Sequence, residues 1–193
     1  MKLLHLDSSI QGDNSASRAV TAAIVAQARA EYPTLDVTYT DLANAPLPHL
    51  TLGAIGDATG QLALEEFLAA DIVVIGAGMY NFTIPSQLKA WIDRIVVAGR
   101  TFQYGANGVE GLVHAKRVII ALARGGLYGA GTPAASVEHA ETYLRDVFRF
   151  LGVTDLEVIV AEGLAMGDES RTAAMTAAFD KAKIAASGVA LAA

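Results

Sequence analysis

The chain has 193 residues, 53% of them hydrophobic and 18% charged, with a formal charge of −6 at pH 7 and no cysteine. This composition argues against disorder, and the lack of cysteine excludes disulfides, thiolate catalysis and Cys-ligated metal centres. It also disfavours a nucleic-acid partner, since no basic stripe is available to neutralise a phosphate backbone. The mean hydropathy of +0.39 leans toward a buried subunit interface.

No apolar run approaches the roughly 18 residues of a membrane span. The N-terminus, M-K-L-L-H-L-D-S-S, lacks the apolar core and cleavage site of a signal peptide and reads as a first strand over residues 2–6. With no cysteine, a cytoplasmic location is the simplest inference. A helix follows over 17–32, a strand over 36–41 and a helix over 60–69, for which residues 57–59 offer caps. Next come a strand at 71–76, a helix at 86–98, a strand at 117–122 and a helix at 135–150, with Gly152 placed as its C-cap. A strand at 156–161 and a helix at 169–187 close the series, the latter inside an Ala-rich stretch, 173–193, that reads as a terminal helix fraying at its end. The strands are rich in β-branched and aliphatic residues and mostly lack a period of two, as strands covered on both faces do. The helices repeat apolar residues at three and four. Five β-α units imply one α/β domain over 1–193, a sheet of five parallel strands with helices on both faces. Two strand orders stay open: 2-1-3-4-5, and the dinucleotide-binding order that begins 3-2-1.

Ligands of such sheets sit beyond the carboxyl ends of the strands, where the strand order reverses. In the first order, the loops after the first, third and fourth strands converge on one cleft. The first loop, D-S-S-I-Q-G-D-N-S-A-S-R at 7–18, leaves a strand and enters a helix, a setting in which free amides accept an anion. It contains no G-x-G-x-x-G and no G-K-[ST]. A helix N-terminus contributes only about 0.3–1 kcal/mol, and each hydrogen bond to a charged group about 1.5–3 kcal/mol. A phosphate held without lysine therefore needs several donors. Ser9, Ser15 and Ser17 with local amides can supply them, and Arg18 is a candidate for added charge. The alternative is a plain N-cap and polar turn.

The second loop lies in G-A-G-M-Y-N-F-T-I-P-S-Q-L-K-A-W-I-D-R at 76–94. Pro85 suits a first helical turn and pushes Ile84 toward extended backbone, so 79–84 is expected to be a stiff extended segment. Its fixed row of donors and acceptors, with the Asn81 amide and the apolar Met79, Tyr80 and Phe82, is what the edge of an isoalloxazine ring requires. The alternative is that these side chains only cap the core under the third helix. The third loop, A-R-G-G-L-Y-G-A-G-T-P at 123–133, lets backbone approach a ligand closely and aim amides at developing negative charge, with Tyr128 flanking; a mobile surface loop is the alternative. His49, His114 and His139 are scattered without metal spacing, and no metal is expected. His5 lies in the first strand as a core or subsurface residue, and Asp7 and Ser8 cannot form a triad with it because strand neighbours point to opposite faces.

Together these stretches resemble the FMN-dependent NADH-azoreductases, the homodimeric branch of the flavodoxin-like quinone reductases, over nearly the whole chain. The resemblance rests on L-D-S-S-I with S-A-S at 15–17, M-Y-N-F at 79–82 with S-Q-L-K at 86–89, and A-R-G-G at 123–126. It is supported by A-G-R-T-F-Q-Y-G-A-N-G-V-E-G-L at 98–112, F-L-G-V-T-D at 150–155 and A-E-G at 161–163. It implies a flavodoxin-like fold and non-covalent FMN, with the phosphate on Ser9, Ser15, Ala16 and Ser17 and the ring against Met79, Tyr80, Asn81, Phe82, Ala123, Arg124, Gly125 and Gly126. It further implies a homodimer with each flavin near the subunit boundary, and ping-pong two-electron reduction of quinones and azo compounds by NADH or NADPH. Hydride passes through flavin N5, so no catalytic side chain is expected. Phe102, Tyr104 and Tyr128 are candidates to wall the acceptor pocket. Two departures concern the flavin edge and the substrate entrance: the family commonly has Ser where Ala123 stands, and the segment 46–59 is shorter here than in many members. A one-electron carrier on this fold would dock its partners through a dense acidic face, whereas the −6 here is spread thinly.

Overall fold

The computed structural model describes residues 1–106 and 108–187. In chain order the elements are β1 (Lys2–Asp7), α1 (Ala16–Glu31), β2 (Asp36–Asp41), α2 (Ala58–Ala69), β3 (Ile72–Gly78), α3 (Ser86–Ile95), β4 (Phe102–Gly105), β5 (Gly108–Gly111), β6 (Arg117–Ala123), α4 (Ala140–Phe150), β7 (Asp155–Ala161) and α5 (Asp168–Ser187). Residues 188–193 of the expected terminal helix, and Asn107, lie outside the described residues.

The main sheet has the order β2-β1-β3-β6-β7 with every pair parallel. This is the flavodoxin-like order, so the alternative beginning 3-2-1 is set aside. Each central strand divides its residues between two apolar cores. Leu4, Leu6, Val73, Ile75, Val118, Ile120 and Leu122 face Phe67, Trp91 and Phe148 of α2, α3 and α4. Leu3, Ile72, Val74, Ile119 and Ala121 face α1 and α5. Both faces are apolar, which is why the strand sequences show no alternation. In the first core Phe67 meets Trp91 edge-on at 5.7 Å between centroids. Lys116 reaches in beside them, its Nζ 5.3 Å from the Phe67 ring centre and donating to the Ala70 carbonyl. In the second core Ala178, Ala182, Ala185 and Ala186 of α5 let it lie close against Val20, Ile24 and Ala28 of α1.

Two helix ends and one added element differ most from expectation, the helix ends for local reasons. The helix expected at 135–150 begins only at Ala140, after a 3-10 turn at Ala135–Val137. There the Glu138 carboxylate accepts the amides of Ala140, Glu141 and Thr142 and so starts the helix. The helix expected to reach residue 98 stops at Ile95, where the Thr101 hydroxyl donates to the Ile95 carbonyl and accepts the Val97 amide. The unexpected element is an antiparallel hairpin of β4 and β5, with Phe102 opposite Gly111 and Tyr104 opposite Val109. Its strands are four residues each and carry glycine, a weak strand signal. Other expectations hold: Asp57 caps α2 by accepting the Gly60 amide at 2.7 Å, and Gly152 follows α4 at φ +94°.

Two close approaches fix the architecture. A Cβ on Gly111 would lie 2.2 Å from the Gly152 nitrogen, so the hairpin sits backbone against backbone on the α4–β7 turn. A Cβ on Gly76 in β3 would lie 2.4 Å from Asp7 Oδ1, and Asp7 is buried and held by the Thr21 hydroxyl at 2.9 Å. Because that carboxylate has little room to yield, Gly76→Ala should lower stability by roughly 2 kcal/mol, read as a reduced midpoint in urea unfolding with an unchanged m-value.

Candidate functional site

The carboxyl end of β1 is stitched to β3: the Ser8 amide and hydroxyl both donate to the Gly76 carbonyl, at 3.0 and 2.7 Å. Ser8 is thereby committed away from His5, and no triad forms. Asp7, two residues along the strand and so on the same face as His5, does meet it, contrary to expectation: His5 Nε2 lies 3.4 Å from Asp7 Oδ2, and the His5 ring is buried against Tyr39 with centres 4.8 Å apart. The loop then passes Ser9, whose hydroxyl is 3.0 Å from the Tyr80 hydroxyl, and a 3-10 turn at Gly12–Asn14. Ser15 is the N-cap of α1, its Oγ accepting the Arg18 amide and lying 3.1 Å from the Ser17 hydroxyl. Capping and anion binding are therefore both served: Ser15 caps the helix, while the Ala16 and Ser17 amides keep no acceptor among the described residues.

Arg18 does not face the loop's interior, and its expected role as added phosphate charge is corrected. Its Nε and Nη2 donate to the Ser9 carbonyl at 3.2 and 2.8 Å, and its fork closes on Asp41 at 2.8 and 2.7 Å. The guanidinium holds the loop from behind. The Arg18 hydrogen bonds draw the Asp41 carboxyl below the usual aspartate range, outweighing the opposite effect of burial.

The segment 79–84 is not extended throughout. Tyr80 and Thr83 exchange backbone hydrogen bonds at 2.9 and 3.2 Å, and between them Asn81 and Phe82 both take left-handed backbone, at φ +47° and +72°. This two-residue turn suits Asn followed by Gly. Phe in the second place costs about 1–2 kcal/mol, a strain of the kind found at functional sites. The Phe82 carbonyl accepts the His139 amide at 3.0 Å, and its ring, 48% exposed, stands edge-on to Tyr128 at 6.3 Å. The Phe82 amide has no acceptor among the described residues.

The loop after β6 is tied to the loop after β7. The amides of Gly163, Leu164 and Ala165 donate to the carbonyls of Gly126, Arg124 and Gly125. The Gly125 and Gly126 amides remain without acceptors among the described residues. The Arg124 side chain, 2% exposed, turns inward onto Glu141 at 2.7 Å, Glu138 at 3.2 Å and Glu162 at 3.4 Å. Burial would raise the Glu138 carboxyl, but the amides of Glu141 and Thr142 together with the Arg124 charge bring it below the usual range. Glu162 also accepts the Tyr128 and Gly129 amides, pinning the glycine-rich loop.

Ser9, Ser15, Ala16, Met79, Tyr80, Ala123, Arg124 and Gly125 line one cavity of about 190 Å³. Ser17, Asn81, Phe82 and Gly126 adjoin it in the same loops, with Tyr128 beside Phe82. Phe102 and Tyr104 do not reach it: Phe102 packs on Phe150 at 4.8 Å, and Tyr104 stands 77% exposed on the hairpin. Sequence reasoning missed Leu164, Ala165 and Arg171, which also line the cavity. The loop after the fifth main strand was their signal, since it too leaves the carboxyl edge.

A parallel sheet of this order, with a hydroxyl-rich loop and two amide-bearing loops at its switch point, defines a mononucleotide-binding protein of the flavodoxin-like fold. The family model described as "Flavodoxin-like fold" matches residues 1–184. An FMN-dependent NADH:quinone oxidoreductase of Methylorubrum populi is 59% identical, the alignment covering 94% of this chain and 97% of that one. One from Gluconacetobacter diazotrophicus is 55% identical over 92% and 96%. Among solved structures, an azoreductase of Bacillus anthracis superposes with a TM-score of 0.89 at 30% identity, covering 96% of this chain and 98% of that one. A B. anthracis FMN-dependent NADH-azoreductase in complex with FMN gives 0.88 at 25% identity, covering 98% and 99%. The chain belongs to the FMN-dependent NADH-azoreductase family of flavodoxin-like quinone oxidoreductases.

Two measurements test this geometry. Asp41 is depressed in the fold, so its contribution is fully present above the unfolded aspartate value of 3.8 and is lost as pH falls through the lower folded value. Urea unfolding at stepped pH should thus show stability falling below about pH 4, with a shallower acid limb in Asp41→Asn. Phe82→Gly should relieve the left-handed backbone and raise stability by about 1 kcal/mol, less whatever the ring's contact with Tyr128 contributes.

Proposed function

We propose that this chain is an FMN-dependent oxidoreductase that reduces quinones and aromatic azo compounds at the expense of NADH or NADPH. The observation that carries the reading is the set of amides without acceptors among the described residues, those of Ala16, Ser17, Phe82, Gly125 and Gly126, gathered around one cavity at the strand-order switch point. The names of the relatives support the same reading.

The donor set fits FMN chemically. The Ser9, Ser15 and Ser17 hydroxyls, with the Ala16 and Ser17 amides at the start of α1, offer the several donors a phosphate needs. The apolar Met79 and the turn carrying Asn81 and Phe82 would border the flavin ring. The Gly125 and Gly126 amides would meet the N1–O2 edge, where fixed donors stabilise negative charge with no reorganisation. Ala123 contributes only backbone there, lacking the hydroxyl that serine would add. When bound, FMN would supply the two-electron redox chemistry between nicotinamide and acceptor. The chain's part is to bind, orient and polarise, and no side-chain acid or base is assigned.

A homodimer belongs to the same reading. Exposed Leu50 and Ile55 line an apolar cavity of about 410 Å³ beside Arg94, Leu52 and Leu62 are exposed in the same segments, and Tyr104, Val109 and Phe150 are exposed on and beside the hairpin. Such surface is suited to burial between subunits, where the exposed Tyr104 of one subunit would border the partner's acceptor site, with Phe102 packed behind it on Phe150.

The purified chain should be yellow or turn yellow with FMN, quench flavin fluorescence, and oxidise NADH when menadione or methyl red is supplied. Ser17→Ala should weaken FMN by roughly tenfold through the loss of one hydroxyl donor to a charged group. A colourless protein that gains neither flavin binding nor NADH oxidation with added FMN would sink the reading.

A further inference from the structure

The one cation of the serine loop is engaged away from the cavity. Arg18 is forked onto Asp41 and the Ser9 carbonyl, Arg124 is enclosed by Glu138, Glu141 and Glu162, and no lysine lines the cavity. Asp7 lies buried at the loop's start and Asp13 within its turn, in a chain of net charge −6. Hydroxyls and amides can coordinate a phosphate monoester dianion, but they leave its charge uncompensated.

We propose that Arg171 supplies that charge and is a phosphate-binding residue of the cleft. It lines the same cavity as Ser9, Ser15 and Ala16. Of the nine arginines, Arg29 and Arg171 alone have no carboxylate within ion-pair distance among the described residues. Arg29 belongs to the last turn of α1, whereas Arg171 is the fourth residue of α5.

The fold explains how a residue so far along the chain arrives there. Ala178 and Ala182, seven and eleven positions after Arg171, fall within about 20° of it around the helix. They belong to the core shared with Val20, Ile24 and Ala28 of α1. The stripe that packs α5 on α1 thus runs back to Arg171, beside the first turn of α1. The start of α5 is fixed by the bonds of Gly163, Leu164 and Ala165 to the 124–126 carbonyls and by the Ser170 hydroxyl donating to the Gly163 carbonyl at 2.8 Å. A cation in the first turn of a helix opposes the helix dipole. An anion between that turn and the start of α1 turns this arrangement into an attractive one.

The inference rests on the FMN reading, and the test separates the two. FMN and riboflavin, which share the ring and differ by the phosphate, are titrated into apoprotein and followed by flavin fluorescence. Arg171→Ala is expected to weaken FMN by about ten- to a hundredfold with riboflavin unchanged, and to flatten the salt dependence of FMN binding. Arg171→Lys should recover part of the loss, and the control Arg29→Ala should match wild type with both flavins. Equal weakening of FMN and riboflavin, or no change in either, overturns the proposal. So does a raised KM for NADPH alone, which would assign the guanidinium to the nucleotide's phosphate. Wild-type protein that binds neither flavin overturns the FMN reading, and this proposal with it.

Discussion

The pairing of β1 with β3 is the constraint from which the cleft follows. Strand order reverses at this pair, with β2 outside β1 and β6 outside β3, so the loops after the two strands leave toward opposite faces and open a gap between them. The join is unusually close. Gly76 has no side chain, so the Asp7 carboxylate fills the space where one would lie, and the Gly76 carbonyl takes both donors of Ser8. Asp7 in turn receives the Thr21 hydroxyl from α1. One missing Cβ thus lets the strand, the serine loop and the first helix lock together before any ligand is considered.

Around that join, guanidinium groups serve as staples. Arg18 holds the Ser9 carbonyl and Asp41, and Arg124 gathers three carboxylates beneath the glycine-rich loop. Arg94 binds the carbonyls of Pro48 and Ala54 with the Asp57 carboxylate, fixing the segment ahead of α2. Each uses the planar, multi-donor geometry that lysine lacks. Their Nε groups are not all satisfied: those of Arg94 and Arg124 have no partner among the described residues, so loop placement is achieved at some electrostatic cost.

Much of this was legible in the sequence, and the exceptions have physical causes. The runs Ile72–Val73–Val74–Ile75 and Val118–Ile119–Ile120 announce buried strands, and Asp57 and Gly152 announce helix ends. Serine-rich and glycine-rich loops could be placed at the sheet edge because they follow such strands. Strand order could not be chosen, because both faces are equally apolar. The turn at Asn81 and Phe82 was hidden because propensity reserves its second place for glycine. The role of Arg18 depends on Asp41, at the end of a different strand. Arg171 emerges only once the alanine stripe of α5 is laid on α1. Residues acting through tertiary neighbours leave no periodic trace.

The contact of Gly111 with Gly152 has a mechanical consequence. The hairpin rests main chain against main chain there, with Phe102 packed on Phe150 beside it, and Tyr104 and Val109 stand on the order of 7 Å beyond that contact. The aim of the exposed tyrosine is therefore set largely at that contact, with the polar pair Gln103 and Glu110 further along the arm. A single methyl at either glycine would swing the whole pointer.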